Sequence, residues 1–427
     1  MPAPEHRIDS LDILRGLAIL GIVFMNLPGF ATYFVAFFGQ APVAGWTPAD
    51  QVAWIFLESV LEGTQRGLLQ LLFGAGMLIL AAKAMHGDAP VAIADHYSRR
   101  NLWLMVFGLV NIFVLLFPGD ILFIYALAAL FLFPFRTLAP GVLLALGLAF
   151  TVVDSGRGLA EYLARDTLQA QVEAAKARQA EGAALSEPET KALAAWAELE
   201  AAQVPDQDFM TYDRKMRLAP FADYASYMRG IWLEERAYSG EVFFEAVPEA
   251  FCVMLIGAAL FKWRVIQGGR GRRFYLGLML AGYAIGGPLR AIEVVQHLRF
   301  TPEPKVVDFT EEIARLAMTL GHLGLVHLLL GTRAGAWLLA PFKAAGRTAF
   351  SLYVMQTLVT GWLLFPGIGL GQFGQFGWAG MVGISVAIIA VQLVLANLWL
   401  RRFRLGPVEW LWRSLVAWRR LPFLAPE

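Results

Sequence analysis

Charge and cysteine are both scarce in this 427-residue chain. Only 16% of its residues are charged, and the 35 basic and 34 acidic side chains almost cancel, whereas an average globular protein has about 25% charged residues. The lone cysteine, Cys252, excludes a disulfide framework and a cysteine-ligated zinc site. Of the six histidines only His322 and His327 are close in sequence, and because they are five residues apart on a helix they lie on different faces, so no metal is expected. A net charge of +1 gives no bulk attraction to nucleic acid, and none is expected as a partner.

Apolar residues are abundant instead, at 58% of the chain. A transmembrane helix needs about 20 mostly apolar residues, and the sequence predicts an all-α, multi-pass membrane bundle of about ten such helices. Val52–Leu61 is apolar enough to be an eleventh, partly inserted helix. The ten predicted spans are Leu11–Tyr33, Gly67–Ala82, Leu102–Phe117, Ile121–Phe135, Val142–Val153, Phe243–Phe261, Phe274–Ile292, Ile313–Leu330, Ala349–Phe365 and Trp378–Leu400.

The distribution of Lys and Arg predicts the orientation of the bundle. Basic residues are retained in short cytoplasmic loops, and here they gather in the even-numbered connections and in the C-terminal tail. Both termini are therefore expected in the cytoplasm, with the protein in the bacterial cytoplasmic (inner) membrane. We divide the chain into membrane helices 1–154, a polar helical insertion 155–240 outside the cytoplasm, and membrane helices with a basic tail 241–427. The insertion is interpreted as a helical hairpin that covers the outer mouth, or alternatively as a cap that binds an acceptor.

Ionisable residues inside the membrane cost at least roughly 2.5–3.5 kcal/mol each and so point to function. On the eighth span, Glu311, Arg315, Thr319 and His322 follow at helical spacing and form one stripe. His322 is as compatible with a structural role as with a functional one.

More ionisable residues lie towards the outer ends of neighbouring spans. Glu249 ends a row of three glutamates at spacings of four, a like-charge row that is unfavourable without nearby cations. Arg290 and Glu293 follow on the seventh span. Two interpretations remain open: an ion-pair network that ties helices together, or a polar cavity open to the outside. In the second case the substrate-binding candidates are Glu249, Arg290, Glu293, Glu311 and Arg315.

The inner half has a different set of polar side chains. Arg15 and Asn26 share a face of the first span, while Arg347 begins the ninth span and Gln356 lies deeper in it. A basic entrance facing the cytoplasm suits a phosphate-bearing molecule. Neither Rossmann nor Walker glycine patterns occur, so side chains between helices would have to hold any nucleotide.

Several motifs carry a resemblance over nearly the whole chain. They are Arg7-Ile8-Asp9-Ser10-Leu11-Asp12-Ile13-Leu14-Arg15-Gly16, Phe73-Gly74-Ala75-Gly76, Gly119-Asp120-Ile121-Leu122 with Tyr125-Ala126, Gly346-Arg347-Thr348-Ala349, and Gly406-Pro407-Val408-Glu409-Trp410. Together they resemble the YeiB-like family, domain of unknown function 418. The first motif also resembles the transmembrane acyltransferase superfamily, which includes heparan-α-glucosaminide N-acetyltransferase.

This resemblance implies acyl transfer from cytoplasmic acyl-CoA, such as acetyl-CoA, to an acceptor on the other side. Arg15 and Arg347 would then hold the donor, while Asn26, Tyr125 and Gln356 would line its path or polarise the thioester. The superfamily's outer histidine has no counterpart in 34–50, and Asn111 stands where YeiB-like proteins commonly have histidine. Since an amide is not a general base, His322 is the preferred base and Asp120, at the outer membrane face, the alternative.

A transporter or exporter of a small polar or amphiphilic solute is the second hypothesis, because transporters also place charged residues between helices near mid-membrane. The sequence shows no convincing internal repeat, which disfavours it. A purely structural role is the third. The bilayer and a small-molecule or glycan acceptor are the expected partners, and assembly into a homo-oligomer is left open.

Overall fold

The computed structural model describes residues 8–33, 46–85, 90–203 and 206–424, and it confirms an all-α bundle. No β-sheet forms within these residues. Seven of their helical segments are long and apolar enough to cross a membrane, and two further apolar helices are shorter, so the chain is a multi-pass membrane protein. The seven are Asp9–Ala31, Pro48–Ala82, Pro140–Ala180, Val242–Lys262, Arg272–His297, Val307–Leu330 and Trp378–Arg402, and the shorter two are Leu122–Thr137 and Ala349–Leu364.

The helices are numbered here in chain order. They are α1 Asp9–Gly21, α2 Val23–Ala31, α3 Pro48–Phe56 with the π-turn Leu57–Leu61, α4 Thr64–Met85, α5 Pro90–Phe113, α6 Leu122–Leu132, α7 Pro140–Gly147, α8 Ala149–Ala180, α9 Glu187–Ala202, α10 Gln207–Arg217, α11 Phe221–Gly230 with the π-turn Ile231–Tyr238, α12 Val247–Lys262, α13 Arg272–His297, α14 Val307–Leu330, α15 Arg333–Leu339, α16 Phe342–Arg347, α17 Ala349–Leu358 with the π-turn Val359–Leu364, α18 Trp378–Arg402 and α19 Pro407–Val416.

The two ends of the bundle are set by α1 and α2, which run one after the other through it. We call the end where α1 begins the basal end and the end where α2 finishes the distal end. Near the basal end, Gly16 and Gly346 bring α1 and α16 so close that a Cβ on either glycine would overlap the facing backbone. Near the distal end, the carbonyl of Ala31 accepts a 2.8 Å hydrogen bond from the amide of Gly374.

The hairpin of α5 and α6 turns inside the bundle. Near its basal end the carbonyl of Arg100 accepts a 3.0 Å bond from the Trp412 indole. Asn111 lies eleven residues further along α5, roughly 16 Å by helical rise. The chain then reverses, and α6 returns after only 11 helical residues. The sequence predicted that this turn lies at the outer face of the bundle; in the structure other residues of the chain cover it, and Asp120 is only 1% exposed.

The polar insertion explains that burial, because part of it covers the turn. Arg229 donates a 2.9 Å bond from Nε to the carbonyl of Phe113. The Trp232 ring packs edge-on against Phe113 and Phe123, with centroids 5.2 and 5.8 Å away. Residues that follow the turn by more than 100 positions therefore fill the space above it.

The rest of the insertion forms a small helical unit of its own. Val172, Ala192 and Trp196 form a separate apolar cluster between α8 and α9. At the start of α9, the amide and the hydroxyl of Ser186 both donate to Glu189 Oε2 at 2.7 Å. Helix α8 runs without a break from the apolar segment into the insertion, so the transition at residue 154 falls within one helix. Helices α8 and α9 thus pack together as a helical hairpin.

Candidate functional site

Asp120 lies at the centre of a buried hydrogen-bonded group on the α5–α6 turn. Asn111 Nδ2 donates to Asp120 Oδ2 at 2.7 Å, and the Tyr353 hydroxyl donates to the same oxygen at 3.2 Å. The Phe123 amide donates to Oδ1 at 2.8 Å. Asp120, Asn111 and Tyr353 are all buried. Three donors from different parts of the chain therefore fix the orientation of this carboxyl group.

A second buried group, here called the charged centre, consists of Arg66, Gln70, Glu249, Glu312 and Arg315. Arg315 Nη2 lies 2.7 Å from Glu249 Oε1 and 2.5 Å from Glu312 Oε2. Gln70 donates to Glu249 at 3.1 Å and accepts from Arg315 at 3.3 Å. Arg66 lies 3.2 Å from the second oxygen of Glu249. The side chain of Arg66 is 36% exposed while that of Arg315 is fully buried, so the charged centre runs from the protein surface into the bundle.

Tyr125 connects the two groups. It lies on α6, just beyond the turn that carries Asp120, and its hydroxyl donates to the carbonyl of Arg66 at 3.2 Å. Its ring packs edge-on against Phe73, with the centroids 5.2 Å apart. The sequence assigned Tyr125 to the donor path; the structure places it between Asp120 and the charged centre.

The glutamate row of the sixth span receives the cations that its spacing required. Glu249 faces Arg66 and Arg315 in the charged centre. The other two partners come from the insertion: Arg236 lies 3.0 Å from Glu241, and Arg157 lies 3.0 Å from Glu245. Sequence reasoning missed both insertion arginines, since nothing in the local pattern indicates that the insertion folds back onto this row.

The predicted stripe on α14 is partly correct. Arg315 and Thr319 are buried on one face, and the Thr319 hydroxyl donates to the Arg315 carbonyl at 2.7 Å. Glu312, not Glu311, pairs with Arg315, and Glu311 is exposed. A signal for Glu312 was available, because an acid three residues before an arginine on a helix can pair with it.

Arg290 and Glu293 form a separate pair on α13, with Nη1 and Oε2 2.6 Å apart. Both side chains are buried, and Arg290 also donates to the carbonyl of Glu62 at 3.0 Å. This pair ties α13 to the end of the α3 segment, which fits the ion-pair interpretation of these two residues.

Both ring nitrogens of His322 are occupied. Nε2 lies 2.8 Å from the carbonyl of Val60, and Nδ1 lies 2.9 Å from the hydroxyl of Tyr283. Because a carbonyl only accepts, we assign the proton to Nε2, and Tyr283 then donates to Nδ1. His322 would therefore have to lose one of these bonds before it could act as a base.

The candidate donor residues separate into two places. Asn26 and Gln356 both line a cavity of about 10 Å³, together with Phe30, Phe117 and Thr360. This volume admits about one water molecule. Gln356 donates from Nε2 to the Ile19 carbonyl at 2.9 Å and to Gln392 Oε1 at 3.0 Å.

Arg15 and Arg347 lie at the basal end instead. Arg15 Nη1 is 3.3 Å from Asp12, and Arg347 donates to the Arg404 carbonyl at 3.2 Å. The guanidinium carbon of Arg100 lies 4.9 Å from the centroid of the Trp412 ring. Arg15 and Arg413 are close enough to repel the Arg100 charge. Four arginines thus gather at the basal end, namely Arg15, Arg100, Arg347 and Arg413, and we call them the basal arginines.

Glu409 attaches the tail helix α19 to this end. Its carboxylate accepts from the amides of Phe350 at 2.6 Å and Ser351 at 3.2 Å, and also from the Ser351 hydroxyl. These are free amides at the start of α17, where a negative group is favourable. Burial raises the pKa of Glu409 above its usual value.

Among the described residues, no group of three or more His, Cys, Asp or Glu side chains could hold a metal ion.

Comparison with known proteins gives a family match and full-length relatives. Residues 260–419, from the end of α12 to just past α19, match the family described as "Protein of unknown function (DUF418)". The uncharacterized protein YxaH of Bacillus subtilis (strain 168) is 30% identical over 420 residues, which is 96% of this chain and 94% of YxaH. The uncharacterized protein YeiB of Escherichia coli (strain K12) is 25% identical over 417 residues, 96% of each chain.

Proposed function

The chain belongs to the DUF418 family of YeiB-like proteins, and from this premise we propose that it is a membrane acyltransferase that uses acyl-CoA. In this proposal the basal end faces the cytoplasm of a bacterium, the protein lies in the cytoplasmic membrane, and both termini are cytoplasmic. The basic residues of the basal end support that orientation, because Lys and Arg are retained on the cytoplasmic side.

The burial of Asp120 between two polar regions carries the proposal. On one side lie the basal arginines, whose guanidinium groups are suited to phosphates. Arg100 and Asn111 are separated by roughly 16 Å of helix, a length comparable with the extended pantetheine arm of coenzyme A. On the other side lies the charged centre, which reaches the protein surface at Arg66. A donor entering from the basal end and an acceptor entering from the distal end would meet at Asp120.

The reaction follows from this placement. Asp120 accepts the proton of a hydroxyl or amino group on the acceptor. The oxygen or nitrogen of that group attacks the thioester carbonyl carbon at the same time. The bond from carbonyl carbon to the acceptor forms, the carbon–sulfur bond breaks, and coenzyme A leaves as a thiolate that takes the proton from Asp120, which restores the carboxylate. Asn111 and Tyr353 hold the carboxyl in position. Phe107 and Phe350, whose ring centroids are 5.1 Å apart, fill the route from the basal end and would have to move when the donor enters.

Purified protein with radiolabelled acetyl-CoA tests the proposal. We expect saturable binding that Arg15→Gln with Arg347→Gln weakens, and that Asp120→Asn leaves intact. Transfer of label to acceptors in a membrane extract should be lost in Asp120→Asn. The proposal is refuted if the wild-type protein binds no acetyl-CoA, or if Asp120→Asn transfers label at the wild-type rate.

Solute transport is the alternative, and one observation favours it. The helical segment Pro48–Ala82 is interrupted at Gly63, which has a φ of +66° and lies against the Arg315 side chain. Discontinuous helices next to a charged site are a feature of transporters. Counterflow of a labelled solute in proteoliposomes, without any covalent product, would favour transport over acyl transfer.

A further inference from the structure

An open groove of about 520 Å³ lies at the basal end of the bundle, away from Asp120 and the charged centre. It is bounded by the start of α13 and the end of α14. Its lining residues are Arg272, Arg273, Leu276, Leu328, Leu329 and Thr332.

The groove is basic at its mouth and apolar inside. Arg272 and Arg273 are exposed, and neither takes part in an ion pair with any residue in the described part of the chain. Leu276 follows one helical turn deeper and leaves 43% of its surface exposed. One turn of helix is about 5.4 Å, so the cationic layer lies directly outside the apolar one. A membrane lipid has the same order of layers, with its phosphate outside its acyl chains.

We propose that this groove binds an anionic phospholipid from the surrounding leaflet. Arg272 and Arg273 hold the headgroup phosphate through charge-assisted hydrogen bonds. One acyl chain lies along Leu276, Leu328 and Leu329. A water-soluble anion would use only the arginine layer and leave the leucines uncovered, which is why the occupant is a lipid. Basic pockets between membrane helices recognise anionic headgroups in this way.

The site also has a consequence for the bundle. Helices α13 and α14 carry Arg290 and Arg315, and they are packed against each other through Gly282 and Gly321. A lipid that contacts the basal ends of both helices holds this pair together. Binding should therefore stabilise the protein, independently of whether it transfers acyl groups.

Native mass spectrometry of the full chain in detergent tests the proposal, with dioleoyl phosphatidylglycerol as the probe and dioleoyl phosphatidylcholine as the neutral comparison. We expect Arg272→Gln with Arg273→Gln to weaken phosphatidylglycerol binding about thirtyfold, because each arginine near an anionic headgroup contributes roughly a factor of five. Arg272→Lys with Arg273→Lys should retain most of the binding. Arg401→Gln with Arg402→Gln, an exposed pair at the basal end of α18, removes the same charge and should change nothing.

Three further results separate the sources of phosphate and guard against misfolding. Inorganic phosphate and glycerophosphoglycerol, which lack acyl chains, should not displace the lipid at equal concentration. Leu276→Gln should weaken binding while the arginines stay in place. Without added lipid, the melting temperatures of the arginine variants should match that of the wild type. The proposal is overturned if Arg272→Gln with Arg273→Gln binds phosphatidylglycerol as tightly as the wild type does. It is also overturned if the α18 control loses as much lipid binding as that variant, or if inorganic phosphate displaces the lipid fully.

Discussion

Asn111 and Asp120 close the turn between α5 and α6 through a 2.7 Å hydrogen bond from the amide to the carboxyl group. Both side chains are buried, and the bond joins the last turn of α5 to the residues that begin α6. A turn inside a membrane bundle has no water to satisfy its polar groups, so they must pair within the protein. The same bond that permits the turn also fixes the carboxyl group that we propose as the base.

Asp120→Asn should therefore destabilise the protein by about 1–3 kcal/mol, the usual cost of leaving a buried donor unsatisfied. The amide group introduced at position 120 would bring its own donor to face the donors of Asn111 and Tyr353. Thermal unfolding in detergent measures the loss. Asn111→Asp should also be unstable, because it places two carboxyl groups together. The double variant exchanges donor and acceptor and should recover most of the stability without recovering acyl transfer. A double variant no more stable than either single one would contradict this account.

The sequence predicted the fold class well but gave no sign that this turn is covered. Apolar length identifies helices directly, because crossing hydrocarbon requires it. Burial is different, since a turn is buried only if other residues cover it. Here the cover includes Arg229 and Trp232, more than 100 residues downstream of Phe113. The sequence pattern near the turn gives no indication of that contact.

The same distinction applies to the charged centre. Spacing on a single helix placed Arg315 and Thr319 on one face, because helical geometry alone decides that. Helical spacing could not predict Gln70 as a partner, because Gln70 accepts a hydrogen bond from Arg315 across 245 positions of the chain. Partners on other helices depend on how the helices pack, which spacing along a single helix does not reveal.

Arg315→Met tests whether the charged centre is a closed set of mutual partners. The change leaves Glu249 and Glu312 without their buried cation and should cost about 3–5 kcal/mol in unfolding free energy. Adding Glu312→Gln removes one stranded charge and should recover part of the loss. Arg299→Met is the matched control: Arg299 is 61% exposed and 3.6 Å from Glu303, and an exposed pair is worth roughly 0–1 kcal/mol. Similar melting temperatures for Arg315→Met and Arg299→Met would contradict the expected difference.

The contact between Glu409 and the start of α17 should depend on pH. Burial raises the pKa of Glu409 when the tail is docked, so the docked form holds its proton to higher pH than the detached form does. Docking is then strongest below the ordinary carboxyl pKa, weakens as pH rises towards the raised value, and is constant above it. Hydrogen exchange at Phe350 and Ser351 reports docking. Glu409→Gln should abolish this pH dependence, and a wild-type contact that strengthens as pH rises would refute it.

Arg217 should hold the insertion against the distal end of the bundle. Its Nε lies 3.0 Å from Asp213, and Nη1 donates to the Gly29 carbonyl at 3.0 Å. The Tyr227 hydroxyl donates to the same carboxylate at 2.8 Å, so α10, α11 and α2 meet at one buried pair. Arg217→Met removes the buried cation next to the Asp213 carboxylate, and breaking a buried ion pair costs about 3–5 kcal/mol.

This loss of stability should appear as local opening of the insertion, because α10 and α11 can detach from the bundle while the remaining helices stay packed. Amides of α10 and α11 should exchange roughly a hundredfold faster in Arg217→Met, since 3 kcal/mol corresponds to about that factor. Amides of α13 and α14 should be unchanged. Arg214→Met, one turn away and exposed, is the matched control and should exchange like the wild type. Equal acceleration throughout the chain would mean that Arg217 supports global folding, and that the insertion does not open as a separate unit.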